Sequence, residues 1–357
     1  MRAKTLKELA SRLDVSITTV SRALAGHEQI AEKTRERVVK AARELGYVPN
    51  RAARQLVSGR SGFVCMALPI RGPNFVDSYF GDFVMGLGEG LVADGVDLFI
   101  AAAQPGQTEL QVLRHVVEAG QADGIVLTRI GEEDERVAYL KARNFPFVAH
   151  GRLKAEATSY SWLDADSETA FAEAFELLYG LGHRHFGLVS ISEPQTFKHL
   201  REIGLEGAIA RRGDPDVRLD IVRAPRFDRD KTQAAIADLL TRAPRPTAII
   251  GLFDELALRV MEEAGRMGLS IPDDLSVVGF DNIAASAYAP PGLTTFEADT
   301  RAAAKQMAHM IVSIIDRPDQ APLSHLIRPK LVARSSHGPA PERTSSSSRG
   351  NKQGENT

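Results

Sequence analysis

From Phe63 onward the chain alternates short, mainly apolar, strand-like runs with longer amphipathic stretches, and this alternation limits the fold more than any other feature. The apolar runs are residues 63–69, 96–102, 124–128, 147–150, 186–190, 221–224, 248–253 and 276–280. Between them, helical spacing of apolar residues covers 80–93, 109–118, 132–143, 167–181, 200–211, 230–242, 255–267 and 299–315. A strand that is apolar at every position is buried on both faces, so the pattern predicts parallel sheets covered by helices on each side. Eight such strands fit two doubly wound lobes better than one sheet. A ligand is then expected at the carboxyl ends of the strands, between the lobes.

Composition agrees. A chain of 357 residues suggests about two domains at roughly 150 residues each, and 43% hydrophobic with 25% charged residues is ordinary for a globular protein. No run approaches the ~18 apolar residues of a membrane span. The start, MRAKTLKELA, lacks the apolar core of a signal peptide, so a cytoplasmic location is expected. The single cysteine, Cys65, lies in an apolar run and reads as a buried, inert thiol.

Charge is unevenly spread. Residues 1–60 hold 13 basic against 6 acidic side chains, and the remainder holds 31 against 40. A small basic head on an acidic body predicts that the head alone meets a polyanion. In the head, Thr5 and Glu8 have the spacing of a capping box, followed by an apolar stripe at Leu6, Leu9, Ala10 and Leu13. Ser16 caps a second helix, with Ile17, Val20 and Leu24 as its inward face and Gly26 as its end. A third helix spans about 32–45 and stops at Gly46. Three short helices with a tight turn between the first two make a helix-turn-helix unit, whose second helix enters the major groove. The stretch DVSITTVSRAL suits that role. Its small hydroxylated side chains let the backbone approach DNA, and Arg22 can bond a guanine or a phosphate. Next, YVPNRAARQLVSGR offers Asn50 as a cap and barely two helical turns holding Arg51, Arg54 and Leu56. It is a linker, and a leucine among arginines also suits a minor-groove wedge.

The segments TLKELASRLDVSITTVSRAL and EKTRERVVKAARELGYVPNRAARQL resemble the LacI/GalR family of bacterial transcription regulators. The resemblance implies that Ile17, Thr18, Ser21 and Arg22 lie on the recognition helix, and that 50–58 is a hinge helix with Leu56 as its intercalating residue. Thr5, Ser16, Thr19, Asn50, Arg51, Ala53 and Arg54 complete the expected DNA contacts. The usual Val-Ser before Lys-Thr-Arg is Ile30-Ala31-Glu32 here, so the third helix loses a Ser cap.

For the body, enzyme signatures are weak. Gly86-Leu87-Gly88-Glu89-Gly90 lies inside a helical pattern and lacks the spacing of a dinucleotide loop. His183-Arg184-His185 reads as a solvated turn at a helix end rather than a metal site, and Asp166 in Asp164-Ala165-Asp166 reads as the start of a helix. No P-loop, nucleophile-elbow, kinase or zincin motif is present, so no enzyme and no cofactor is expected. The family resemblance continues through FPFVAHGR, LLYGLGHRHFGLVS, RPTAIIGLFDELALRVMEEAGRMGLSIPDDLSVVGFDN and PPGLTTFEAD, segments that are also similar to periplasmic sugar-binding proteins. It implies effector contacts from Thr128, His150, Arg201, Phe227, Asp254 and Asp281. Phe253 stands where the family often has Asn, which removes a polar contact. FPFVAHGR with SYSWLDADSETAF also resembles regulators of alpha-glucoside operons, which favours a sugar over a purine.

The expected organisation is a helix-turn-helix domain at 1–48, a hinge at 49–60, a two-lobed effector-binding and dimerisation domain at 61–336, and a disordered polar tail at 337–357. Leucine heptads are absent from that tail, so a homodimer through the body is expected. The implied function is a repressor released from inverted-repeat operator DNA by a sugar. A nucleobase- or other metabolite-responsive regulator acting by corepression is the alternative.

Overall fold

The computed structural model describes residues 5–24, 29–47, 59–69, 78–104, 106–153 and 158–342. The chain divides into two units: the head, residues 1–62, is grouped with Gly120–Ala122, and the body comprises 63–119 and 123–357.

The head consists of α1 (Leu6–Leu13), α2 (Ile17–Leu24) and α3 (Glu32–Leu45). Thr5 and Glu8 form the capping box: Thr5 Oγ1 accepts from Glu8 N at 3.3 Å, and Glu8 Oε2 accepts from Thr5 N at 3.1 Å. Asp14 ends α1 in the left-handed region (φ 54°), a conformation that Asp tolerates, and so turns the chain tightly into α2. Ala31 gives α3 no side-chain cap. Leu9, Ala10, Val20, Ala23, Val38, Ala41 and Ala42 form the head core. Ile17 is not in it; at 48% exposed it points outward, contrary to the inward role its spacing suggested.

In the body, one lobe is built on β1 (Phe63–Pro69), β2 (Asp97–Ala103), β3 (Gly124–Leu127), β4 (Phe147–His150), β5 (Ser161–Ala165) and β11 (Ser324–Ile327). They form a parallel sheet in the order β11-β5-β4-β3-β1-β2. Its helices are α4 (Ser78–Ala93), α5 (Glu109–Glu118), α6 (Glu135–Ala142) and α12 (Thr300–Asp316). The other lobe has the parallel sheet β7-β6-β8-β9, from β6 (His185–Ile191), β7 (Arg218–Ala224), β8 (Ala248–Gly251) and β9 (Ser276–Val278). Helices α7 (Ser167–Gly180), α8 (Thr196–Arg212), α9 (Arg229–Thr241), α10 (Asp254–Arg266) and the short α11 (Ala284–Tyr288) belong to it. An antiparallel pair of β10 (Thr295–Glu297) and β12 (Lys330–Val332) completes this lobe.

The strand β5 has no continuous apolar run, because Ser161 and Asp164 interrupt it, yet every residue of it is buried. The chain passes between the lobes three times: from β5 to α7, from β10 to α12, and from β11 to β12. The glycines of GLGEG lie within α4. A Cβ on Gly86 would overlap the Arg301 carbonyl, and one on Gly90 would meet Ala308 Cβ and Lys305, so these two glycines let α4 and α12 touch backbone to backbone.

Two expectations about the second lobe need correction. His183 is fully buried rather than solvated: its Nδ1 is 2.9 Å from Thr247 Oγ1, and its Nε2 is 3.1 Å from both Ser276 Oγ and the Gly338 carbonyl. The polar tail starts later than 337, since Gly338 N donates to Ser276 Oγ and Ala340 N to the Leu181 carbonyl. Cys65 is buried, and burial pushes its thiol up to about 12, as expected of an inert group.

Candidate functional site

On the head, α2 exposes Ile17, Thr18 and Arg22 on one side and buries Val20 and Ala23 on the other, with Thr19 and Ser21 between. Ser16 Oγ accepts from Thr19 N at 3.0 Å and lies 2.8 Å from Thr19 Oγ1. The hydroxyl therefore caps α2 and holds its first turn. The weak intrinsic helix propensity of ITTVS is offset by this cap and by burial of Val20 and Ala23. Asn50, Arg51, Ala53, Arg54 and Leu56 lie outside the described residues.

In the body a cavity opens between the lobes. The carboxyl ends of five strands converge on it: Thr128 after β3, His150 at the end of β4, Asp164 on β5, Phe253 after β8, and Phe280 with Asp281 after β9. All three crossings border it, through Ala165 and Ser167, Ala298 and Thr300, and Ile327. The cavity thus occupies the switch between two doubly wound sheets, where strand ends leave a crevice.

Arg201, on α8, is its main cation. The Phe280 ring lies 3.9 Å from the guanidinium carbon and the Phe197 ring 5.1 Å. Nη1 donates to the Leu252 carbonyl, Nε reaches Ser167 Oγ at 3.4 Å, and Nη2 faces Asp281 Oδ1 at 3.6 Å. Burial lowers the pKa of this guanidinium, and Asp281 opposes the shift. Asp164 is 4% exposed. Its Oδ1 accepts from Ala165 N at 2.9 Å, Arg152 Nε stands 3.8 Å from Oδ2, and Oδ2 accepts no hydrogen bond among the described residues. Burial outweighs the Arg152 charge and raises the carboxyl to about 6. On the same wall, burial and then the charge of Arg201 lower the His150 imidazole to about 4. Tyr79 Oη lies 3.2 Å from its Nδ1 and 3.4 Å from its Nε2.

Two cavity residues hold backbone conformations unusual for side-chain-bearing residues, Arg129 (φ 54°) and Asp281 (φ 113°). Each such residue costs about 1–3 kcal/mol, a strain that concentrates at ligand sites. The lobes also meet beside the cavity. Gly131 and Gln195 form an antiparallel bridge, Thr196 N donates to the Ile130 carbonyl at 2.9 Å, and Glu132 N donates to the Pro194 carbonyl at 3.1 Å.

Of the six residues expected to contact an effector, Thr128, His150, Arg201 and Asp281 line this cavity. Phe227 and Asp254 do not. Phe227 lies in an adjoining surface groove, with Arg129 and Arg226 each over its ring. Asp254 is fully buried at the first turn of α10. Its carboxylate accepts from Ser286 Oγ (2.6 Å), Thr295 Oγ1 (2.5 Å) and Ile283 N (3.0 Å), so it ties α10 to the segments around α11 and β10. The position where a polar side chain was missed holds Phe253, which lines the cavity with the Arg226 guanidinium 4.5 Å from its ring centre. Sequence reasoning passed over Asp164, Tyr79 and Phe83. Only Asp164 left a signal, as a polar residue just before a helix cap.

No group of residues able to hold a metal ion occurs among those described, nor is any described helix long and apolar enough to cross a membrane.

Residues 5–50 match the family described as bacterial regulatory proteins, lacI family, and residues 175–337 match the periplasmic binding protein-like domain. The chain is 33% identical over 345 residues to the HTH-type transcriptional regulator AglR of Rhizobium meliloti (strain 1021), covering 95% of this chain and 96% of that protein. It is 29% identical over 340 residues to the HTH-type transcriptional regulator CelR of Thermobifida fusca, covering 94% and 98%. Among solved structures it is similar to a transcriptional regulator CelR–cellobiose complex, with a TM-score of 0.70 and 26% identity over 93% of this chain and 99% of that one. It shares its fold with the Lac repressor dimer bound to operator and the anti-inducer ONPF, with a TM-score of 0.79 and 22% identity over 94% and 100% of the two chains. The relatives named here are transcriptional regulators, not enzymes.

Proposed function

The chain belongs to the LacI family of bacterial regulatory proteins, and from that premise we propose that it is a homodimeric repressor that leaves an inverted-repeat operator when a sugar binds between its lobes. Each head lays α2 in a major groove, with Ile17, Thr18, Ser21 and Arg22 toward base edges and phosphates. The hinge at 49–60 carries Leu56 into the minor groove, where it wedges a base step open. The sugar is held by Thr128, His150, Asp164, Arg201 and Asp281, and operator affinity falls because ligand and DNA favour different arrangements of the same body. Such a regulator acts in the cytoplasm, beside the DNA.

The observation that carries the sugar reading is the pairing of chemistries in one cavity. A buried carboxylate oxygen without a donor and a guanidinium stand among aromatic faces. Sugar hydroxyls both donate and accept, so one ring can satisfy Asp164 and Arg201 together while its C–H face lies on Phe253 or Phe280. Sites built on buried polar groups reject analogues that lack the matching hydroxyl, because those groups are then left unpaired.

The test has two measurements. Calorimetric melting is followed with glucose, maltose, trehalose, sucrose and cellobiose, and with adenine, guanine and inosine. Fluorescence anisotropy then follows release from a duplex that the protein itself selects from a random pool. A sugar that raises the midpoint and weakens operator binding supports the reading. A purine that raises the midpoint and tightens operator binding replaces it with corepression.

A further inference from the structure

The cavity wall made by Tyr79, Phe83 and His150 places one hydroxyl between the two nitrogens of an imidazole. A neutral imidazole has one N–H and one bare nitrogen. Tyr79 Oη stands almost equally far from both, at 3.2 Å and 3.4 Å. One hydroxyl cannot bond both nitrogens well at once, since each bond must lie near the ring plane along a different direction. Turning the ring toward one nitrogen would strengthen that bond and draw the other nitrogen away from Tyr79. Burial and the Arg201 charge keep His150 neutral at physiological pH, so the ring there holds one donor and one acceptor nitrogen.

The tyrosine sits on an element that cannot move alone. Tyr79 and Phe83 are one turn apart on α4, their rings stacked at 6.5 Å, and the Phe83 ring meets His150 edge-on at 5.3 Å. Further along α4, Phe83, Leu87 and Leu91 share a core with Val64 and Met66 of β1. On its other side Gly86 and Gly90 touch the backbone of α12, whose first turn brings Thr300 and Ala303 to the cavity. The helix α4 therefore packs Tyr79 in one rigid element against both α12 and β1. That strand begins at Phe63, the residue after the head ends at Gly62.

Resting on the proposed sugar-responsive function, we propose that the Tyr79–His150 hydrogen bond is the switch that reports cavity occupancy to α4, so that Tyr79 is a positioning residue coupling sugar binding to operator release. Physical coupling requires an element with two arrangements that both sites bias, and in the proposed switch this contact is that element.

The test compares wild type with Tyr79→Phe in the full chain. The ring and its stacking survive and only the hydroxyl is lost. The probe is the sugar of the panel above that gives the largest operator shift with wild type. Operator affinity is measured without sugar and at sugar saturation, so a change in sugar affinity cannot be mistaken for a change in coupling. The expected result is an unchanged melting midpoint, an unchanged sugar-free operator affinity, and a sugar-induced loss of operator affinity at least tenfold smaller than in wild type. A full wild-type response at saturation overturns the switch, even if more sugar is needed to reach it. A drop in sugar-free operator affinity with a lower midpoint also overturns it, because the hydroxyl would then serve the fold alone. Failure of wild type to respond to any sugar overturns the proposed function itself, and the switch with it.

Discussion

Replacing Asp254 with alanine separates a structural carboxylate from a ligand-binding one. Three donors lose their acceptor together: Ser286 Oγ, Thr295 Oγ1 and Ile283 N. A buried donor left unmatched costs about 1–3 kcal/mol. Thr295 Oγ1 has some relief, since the Phe296 carbonyl already lies 3.5 Å away. Loss of an acid from the first turn of α10 adds about 0.3–1 kcal/mol. Against these, the variant no longer buries a charge, a cost visible in the raised pKa of the carboxyl. The balance is a destabilisation of about 3 kcal/mol, from three neutral buried donors left unmatched less the relieved burial of the carboxylate. At about 2–4 °C per kcal/mol for a domain of this size, the midpoint should fall by about 6–12 °C in scanning calorimetry. Sugar affinity, measured by titration calorimetry well below that midpoint, should stay within about threefold of wild type, a change worth under about 0.7 kcal/mol. An unchanged midpoint with abolished sugar binding would refute the structural role and return Asp254 to the ligand.

Asp164 titrates near 6 in the free cavity, above its ordinary 3.8, so its protonated form is favoured there below about 6. A sugar hydroxyl donating to the carboxylate favours the ionised form, so sugar affinity should be highest above pH 6 and should fall about tenfold on going from pH 7.5 to pH 5. His150, lowered to about 4, stays neutral across that window. Titration calorimetry of wild type and Asp164→Asn checks this, and a flat wild-type profile would count against Asp164 as an acceptor. The helix contact is checked by two alanines. Gly86→Ala should cost about 1–3 kcal/mol, because the new methyl overlaps the Arg301 backbone. Gly88→Ala, with nothing within 4 Å of its Cβ, should be neutral or stabilising by up to about 1 kcal/mol. Equal melting midpoints for the two variants would contradict the close approach of α4 and α12.

Much of the architecture was legible because it is encoded locally. The 3.6-residue period gave eight body helices to within about four residues, missing the short α11, and apolar runs gave eight of the strands. The strands β3, β8 and β9 are buried throughout, as such runs imply, whereas the edge strands β2 and β7 are partly exposed. Capping chemistry marked Thr5, Ser16 and Asp166 as helix starts, and their side chains accept the expected N–H bonds. Periodicity failed where burial did not follow hydrophobicity. The strand β5 hides Ser161 and Asp164 inside a buried sheet, while Ile17 exposes an apolar side chain.

Which aspartate faces the cavity lay beyond the sequence. Asp164 and Asp254 both stand beside a strand end and a helix start. Asp254 is satisfied by Ser286 and Thr295, brought to it by a segment that arrives only after β9. Asp164 finds Arg152 and one backbone N–H, leaving an oxygen for something else. The chain by itself determined the elements, because hydrogen bonding and amphipathicity act over a few residues. The tertiary structure decided the site, because whether a buried polar atom is already partnered depends on segments far away along the chain.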